Sequence, residues 1–358
     1  MSFSNDGYEW TPEGGLKTGL PTDAVIDPPK LLPNPEKEFD VIVVGAGVLL
    51  LEGRDRIGGR SWTVKKDGYV YEVGGTWIHR NQAQVWAEAV RYGLDDKLKD
   101  SMEFYEGSRE PTVNRDGVLI DIPFTDETAL ARSMFDDACS SGNLSYSFKT
   151  PVSRISTEAN MITVTANSGS SFVAQHVIVA VPLNCLKDIT FDPALPPLKA
   201  EASLQGHSNH AYKVCIEVAG KDWRNWQGHA FPDKGIPFLI GDGITPQGNS
   251  YLITTPGDYI NPQQEPEKLL DALQYLHPDL KIQRIFGCDY FSDPFSKGGW
   301  AVHSPGFVMK YLKALQAPVG NIHFASADWA DLWRGFIDGA LESGARAVSA
   351  IHLQRAAA

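Results

Sequence analysis

The first sustained apolar pattern in the chain is Val41-Ile42-Val43-Val44, a β-branched run that ends on Gly45-Ala46-Gly47. It predicts a buried parallel strand meeting a glycine turn. A second apolar run, Val48 to Leu51, closes on Glu52, and comparable runs over 68–73, 161–166, 176–182, 212–218, 251–255, 283–291 and 321–325 predict further strands. Helical spacing is clear in four places. Val85, Trp86, Ala89 and Val90 share a face before Gly93, and Leu130, Met134 and Ala138 recur every fourth residue before Gly142. Pro266, at a first-turn position, precedes Leu269, Leu270, Leu273 and Leu276, and Pro278 stops that pattern. The last helix carries Ile337, Ala340, Leu341, Gly344, Val348 and Ile351. Strands and helices interleave without an internal repeat, which argues for an α/β or α+β chain with a mixed sheet. Residues 1–38, interrupted by Pro12, Pro21, Pro28, Pro29, Pro33 and Pro35, show no sustained periodicity and predict an extended arm lying on the surface.

Composition narrows the function classes. The 358 residues suffice for about two domains with a sizeable core. Thirty-two basic against 44 acidic residues give a net charge of −12, a field that repels nucleic acid and anionic membranes. Cys139, Cys185, Cys215 and Cys288 are widely spaced with no C-x-x-C pair, so buried free thiols are expected rather than zinc or disulfides. The first 25 residues lack the basic start and apolar core of a signal peptide, and the apolar stretch Val41–Leu51 is too short to span a bilayer. The last residues, Gln354-Arg355-Ala356-Ala357-Ala358, form no peroxisomal tripeptide. An intracellular, cytoplasmic protein without a membrane span is the expectation, its oligomeric state open. His207 and His210 have the spacing of surface polarity, and no zincin pattern or G-x-S-x-G elbow occurs.

Gly45-x-Gly47 after an apolar strand is half of a dinucleotide fingerprint, in which glycines let the backbone approach a pyrophosphate. A glycine turn of purely structural role explains the doublet equally well. Glu52 and Arg56-Ile57-Gly58-Gly59-Arg60 add an acidic residue suited to ribose hydroxyls and a glycine–arginine loop suited to phosphate or a flavin edge.

At these residues the chain resembles the FAD-dependent monoamine oxidase family. Leu50-Leu51-Glu52-Gly53-Arg54-Asp55-Arg56-Ile57-Gly58-Gly59-Arg60-Ser61-Trp62 is similar to the family's second signature, and Glu72-Val73-Gly74-Gly75-Thr76-Trp77 to its next flavin loop. The stretches 324–329 and 333–344 are similar to its C-terminal flavin-binding helix, and Asp6-Gly7-Tyr8-Glu9-Trp10-Thr11-Pro12 to the start of its fungal members. The resemblance implies an FAD-binding Rossmann-like domain of the amine-oxidase/glutathione-reductase type, formed by 39–78, 145–187 and 284–354. A reduced mixed-sheet substrate domain would follow from 79–144 and 188–283. It implies oxidation of a small amine to an imine or aldehyde, with O2 reduced to H2O2. Cofactor-binding positions carried over are Gly45, Gly47, Glu52, Arg54, Gly59, Arg60, Gly75, Thr76, Val152, Ser326, Asp328 and Ile337. Lys213 matches the lysine that holds a water beside the flavin, and Trp300 and Phe336 match the aromatic pair flanking the substrate amine. Without the resemblance, Lys213 is a strand-edge lysine facing solvent, and the two aromatics and Val152 are core residues. Gly299 stands where flavinylated members carry cysteine, so the FAD is expected to be non-covalent. Tyr290 stands where many members have a flavin-side tryptophan.

Two departures bear on this. Only Val48 to Leu51 lie between Gly47 and Glu52, where the family has a crossover helix; parallel neighbours usually need about a dozen residues of connection. An antiparallel hairpin of 40–44 with 48–52, which would turn Glu52 to the wrong end of the sheet, is therefore one expectation. The other is that the strand pairs elsewhere with one sheet position left empty, and either removes the helix N-terminus that would hold the pyrophosphate. Near Ile122 to Thr125 a hairpin around Arg115-Asp116-Gly117 runs straight into a helix, where the family has a long helical segment roofing the cavity. The alternative function is a catalytically inactive, flavin-free remnant of an amine oxidase, from an incomplete gene model or kept as an interaction protein. A third reading keeps the flavin but takes polyamines or amino acids.

Overall fold

The computed structural model describes residues 2–32, 38–45, 49–75, 77–79, 81–94, 122–123, 127–230, 234–256 and 260–357. The hairpin expected around Arg115-Asp116-Gly117 lies outside them, as does Thr125. The chain divides into two compact units. One contains residues 1–24, 60–131 and 210–292; the other contains 25–59, 132–209 and 293–358.

The first unit is built on an antiparallel sheet of seven strands among the described residues, in the order Gln227–Ala230, Ile236–Ile244, Ser250–Thr254, Tyr212–Val218, Ile282–Asp289, Ser2–Thr11 and Gly15–Thr22. Alternation sends Val214, Ile216 and Val218 into a core with Leu252 and Ile285. Helix Pro266–Leu276 closes that core with Leu269, Ala272 and Leu273, the face expected from its spacing. Tyr71, Tyr251 and Phe286 form an edge-to-face and tilted aromatic cluster, with centroids 5.2 Å apart for Tyr71–Tyr251 and 4.6 Å for Tyr71–Phe286.

Residues 2–22 are not part of a surface arm of the kind expected over 1–38 from its prolines and lack of periodicity. They form two strands, because Tyr8 packs where Gly287 leaves room: an added Cβ at Gly287 would stand 2.2 Å from the Tyr8 ring. Tyr8 and Leu20 are fully buried there.

The second unit carries the parallel strands. Ser145–Ser147, Leu49–Leu51, Phe39–Val44, the end of Ser171–Val179, and Ile322–Phe324 all run parallel, with antiparallel strands Val152–Glu158 and Met161–Ala166 on one side. Ile42, Val44, Leu49, Leu51, Val177 and Val179 pack one face against Phe307, Tyr311 and Leu315 of helix Phe307–Gln316. Val43, Ile178 and Ala325 pack the other face against Ala347 and Ile351 of helix Ile337–Ala357.

The antiparallel hairpin expected at 40–52 does not form. Leu49 pairs with Ile42 and Leu51 with Val44 in parallel, and Leu51 pairs in parallel with Ser147 on its other side. Three leucines buried between two strands fix the register, and this outweighs the preference of a short connection for reversal. By contacts, residues 60–78 and 284–292 group with the antiparallel unit, and 132–144 and 188–209 with the parallel one.

Candidate functional site

Most of the cofactor positions carried over from the resemblance fall in the parallel-sheet unit. The Gly45 amide donates to the Leu51 carbonyl at 3.1 Å, so the ends of the two strands are level and Glu52 leaves at the carboxyl edge of the sheet. This is the edge where ligands of open α/β sheets bind. Gly45 has φ +118, and a Cβ there would meet the Ala180 carbonyl at 3.0 Å. Glu52 is half-buried and accepts the Arg54 amide at 2.8 Å. Gly59 has φ +58 and open space where a Cβ would point. Val152 is half-buried beside the core and pairs with Ala166. Gly47 and Thr76 lie outside the described residues.

The far end of the site is built by 324–337. Ser326 Oγ accepts the Asp328 amide at 3.2 Å, while the Ser326 amide donates to Ser343 Oγ at 3.0 Å. Asp328 is fully buried and its Oδ2 accepts the Leu183 amide at 2.8 Å, holding the start of the short helix Leu183–Leu186. Ile337 opens the 21-residue C-terminal helix, whose positive end already has the buried Asp338 in its first turn. Trp300 and Phe336 come together along the backbone. Gly335, next to Phe336, lies against Trp300, where an added Cβ would stand 3.4 Å from the Trp300 Cβ. Trp333 packs edge-on to Phe336 at 5.5 Å. Trp300 is half exposed, at 49%, and so is no core residue.

Arg60, Gly75 and Lys213 belong to the antiparallel unit. The Gly75 amide donates to the Arg60 carbonyl at 3.1 Å, which joins the two loops identified from separate motifs. Gly74 makes that closeness possible, since a Cβ there would stand 2.6 Å from the Trp62 amide nitrogen. Lys213 is not the solvent-facing edge lysine of the alternative. Its strand lies inside the sheet, between Ser250–Thr254 and Ile282–Asp289, and its side chain is buried with Nζ 5.2 Å from the Trp77 ring centroid. Trp77 was visible in its motif without a role; only the structure sets it against Lys213. Tyr290 is buried and its hydroxyl donates to the Val73 carbonyl at 3.0 Å.

Two features could not be found from sequence. Arg54, buried at 4% exposure, gives its guanidinium to Asp293, 239 residues away, and to Ser296 Oγ at 2.7 Å. Asn184 bridges the Lys297 carbonyl at 2.6 Å and the His207 amide at 2.8 Å. Neither has a local motif, because each partner lies in a different segment.

These residues fit FAD at its two ends. A carboxylate stands at the carboxyl edge of parallel strands, left-handed glycines leave room for close approach, and an aromatic pair adjoins the start of the last helix. The crossover helix that would offer its N-terminus to the pyrophosphate has only the four residues 45–48 from which to form, too few for a helix of that kind. Among the described residues, no group of three or more His, Cys, Asp or Glu is placed to hold a metal, and no helix is long and apolar enough to cross a membrane.

Comparison with known proteins agrees with the motif reading. The family profile for flavin containing amine oxidoreductases matches residues 44–132 and 127–352. A pseudooxynicotine dehydrogenase from a Pseudomonas species is 26% identical, covering 86% of this chain and 85% of its own. That alignment runs over 424 residues, more than the chain contains, so the relative has residues with no counterpart here. An (S)-6-hydroxynicotine oxidase from Paenarthrobacter nicotinovorans is 30% identical over 212 residues, which are 57% of this chain and 47% of that one. The solved structure of cyclohexylamine oxidase from Brevibacterium oxydans superposes with TM-score 0.71 at 19% identity, covering 89% of this chain and all of that one.

Proposed function

The chain belongs to the flavin-containing amine oxidoreductase family, and from that premise we propose that it oxidises a small amine to an imine with FAD as non-covalent cofactor and O2 as final acceptor. The observation that carries this reading over the flavin-free alternative is the parallel register of Leu49–Leu51 with Phe39–Val44, which keeps Glu52 at the carboxyl edge despite the short connection.

Bound FAD would supply the acceptor for the hydride equivalent leaving the amine α-carbon, with O2 as the final oxidant reduced to H2O2. The chain's own residues bind, orient and exclude. The Glu52 carboxylate accepts hydrogen bonds from ribose hydroxyls, and Gly45 and Gly59 allow the backbone to come close. Ile337 places a helix N-terminus toward electron-rich carbonyl oxygens. Trp300 and Phe336 present ring faces that orient the amine nitrogen and favour the positive charge that develops on it. Lys213, held in a buried setting against Trp77, supplies a donor that fixes one water. With Gly299 beside Trp300, no thiol is present at that position to attach the flavin. Arg60, Gly75, Thr76, Val152, Ser326 and Asp328 are further cofactor-binding residues in this reading.

The test is direct. The purified chain is mixed with excess FAD, desalted, and its visible spectrum recorded. It is then screened for peroxide with cyclohexylamine, putrescine and nicotine-derived amines, the compounds named by its relatives and structural neighbours. A retained flavin band and amine-dependent peroxide, reduced at least tenfold by Lys213→Met with the band unchanged, are expected. A folded, colourless protein after desalting refutes the proposal.

A further inference from the structure

Arg54 lies two residues from the proposed ribose carboxylate, and its guanidinium is bound by the segment 293–296. Nη1 donates to Asp293 Oδ1 at 3.0 Å, Nη2 stands 2.9 Å from Asp293 Oδ2, and Nη2 also donates to the fully buried Ser296 Oγ at 2.7 Å. This is a forked, two-point carboxylate contact to a largely buried guanidinium, the geometry that fixes a guanidinium most firmly. The Phe295 ring completes the grip, since the Arg54 guanidinium carbon is 5.5 Å from its centroid and a Cβ at Gly53 would stand 2.6 Å from its edge.

Both ends of the pair are anchored. On one side the Arg54 amide is held by Glu52 Oε1, and the Arg54 and Glu52 carbonyls accept the amides of Lys149 and Thr150 at 2.8 Å each. On the other side Asp293 Oδ1 accepts the Phe295 amide at 2.7 Å and the Asp293 carbonyl accepts the Lys297 amide at 2.9 Å. The chain then runs through Gly298 and Gly299 to Trp300. Gly298 has φ +150 and would clash with His207 if it carried a Cβ, the Gly299 amide donates to the Asn209 carbonyl at 3.1 Å, and Asn209 Nδ2 donates to the Trp300 carbonyl at 2.8 Å. The segment from the Asp293 turn to Trp300 is thus held by hydrogen bonds at Lys297, Gly299 and Trp300.

We propose that the Arg54–Asp293 pair is a positioning device that ties the Trp300 segment to the Glu52 turn, so that a nucleotide seated on Glu52 tightens the aromatic wall that receives the amine. This rests on the FAD-dependent reading above. Arg54 and Asp293 touch neither the amine nor the reacting atoms; they act through Trp300. The pair therefore affects how well the amine is held once FAD is present, and has little effect on the hydride step itself.

The experiment is amide hydrogen exchange of the 294–302 segment in the full chain, with and without FAD, together with KM and kcat for an accepted amine. In the wild type FAD slows exchange there by about tenfold. Asp293→Asn and Asp293→Ala keep FAD affinity within about threefold, lose that slowing, and raise KM about fivefold or more at nearly constant kcat. Wild-type exchange and wild-type KM in both variants overturn the proposal. If either variant fails to fold, Ser296→Ala removes one acceptor alone, and its exchange rate is expected between the two extremes; a wild-type rate counts against the device. Should the wild type take up no FAD, the oxidase reading falls by itself. The clamp is then judged on the apo chain, where Asp293→Asn must exchange 294–302 about tenfold faster and equal rates refute it.

Discussion

The amide of Gly45 meets the carbonyl of Leu51 at 3.1 Å, across two strands that only four residues connect. That one bond sets Glu52 at the same edge of the sheet as Gly45, the placement a ribose carboxylate requires. Glu52→Gln keeps the oxygen that accepts the Arg54 amide and removes the charge that would strengthen bonds to ribose hydroxyls. Hydrogen bonds to a charged group contribute about 1.5–3 kcal/mol, so FAD affinity is expected to fall roughly 10–100-fold with the melting temperature nearly unchanged. Titration of flavin fluorescence against both proteins measures this, and equal affinities would remove Glu52 from the site.

Gly45 and Gly59 separate backbone need from space for a ligand. At Gly45 a Cβ meets the Ala180 carbonyl at 3.0 Å and the Ala180 Cβ at 3.1 Å with φ at +118, so Gly45→Ala costs about 1–3 kcal/mol whether or not FAD is bound. At Gly59 the space is open and φ is +58, so Gly59→Ala costs only about 1–2 kcal/mol from the left-handed conformation. If the opening at Gly59 serves the cofactor, its alanine variant loses FAD affinity out of proportion to its stability. Thermal melts paired with FAD titrations decide; a purely structural loop shows proportional losses at both glycines.

The thiols provide a check on the cores that needs no cofactor. Cys185, Cys215 and Cys288 are buried, and only Cys139 is partly accessible. Burial pushes the Cys215 thiol up to about 12; its sulfur takes the Tyr251 hydroxyl at 3.2 Å and bonds to the Glu72 carbonyl at 3.0 Å. A neutral, enclosed thiol reacts slowly. A chromogenic disulfide reagent at pH 8 should therefore modify about one thiol quickly in the native chain and all four only in denaturant. Four fast thiols without denaturant would mean that neither sheet is packed as described.

What was legible in the sequence follows from where the deciding forces are local. The helices Ala83–Arg91, Glu127–Ser140, Pro266–Leu276 and Ile337–Ala357 stand where apolar spacing put them, because an amphipathic stripe is a property of one segment. Strands 2–11 and 15–22 were missed because their order comes from Gly287 making room for Tyr8, a contact between distant segments. The parallel pairing of 39–44 with 49–51 was missed for the same reason. Loop length argued for a hairpin, while the two neighbours of buried Leu49–Leu51 decided the register. For the candidate site, the motifs singled out Glu52, Lys213, Trp300 and Phe336 as the residues to propose. Arg54's partner Asp293, in an ordinary-looking turn, was invisible until the fold joined them.

The C-terminal helix lies over two buried histidines, and their burial makes the fold sensitive to acid. His323 on strand Ile322–Phe324 and His176 on strand Ser171–Val179 are buried, with ring centroids 5.8 Å apart; the Asp40–Arg355 pair and Gln354 are their charged and polar neighbours. Desolvation, then the neighbouring His176, lowers His323 to about 4, and desolvation with Arg355 lowers His176 as well. Above the unfolded value of 6.5 both rings are neutral in either state, and the fold has its full stability. As the pH falls below 6.5, the unfolded chain takes up protons that the folded chain accepts only at lower pH, for His323 at about 4, so stability drops through that window. For His323 the loss amounts to about 3 kcal/mol at most, at roughly 1.4 kcal/mol per unit of difference. His323→Leu removes the proton uptake while keeping an apolar contact for the helix, so its melting temperature should fall less steeply than the wild type's between pH 7 and 4.5. Carboxylates that titrate in the same range are common to both proteins and cancel in the difference. Parallel melting curves across that range would mean that His323 is reached by water and that the C-terminal helix does not seal this end of the sheet.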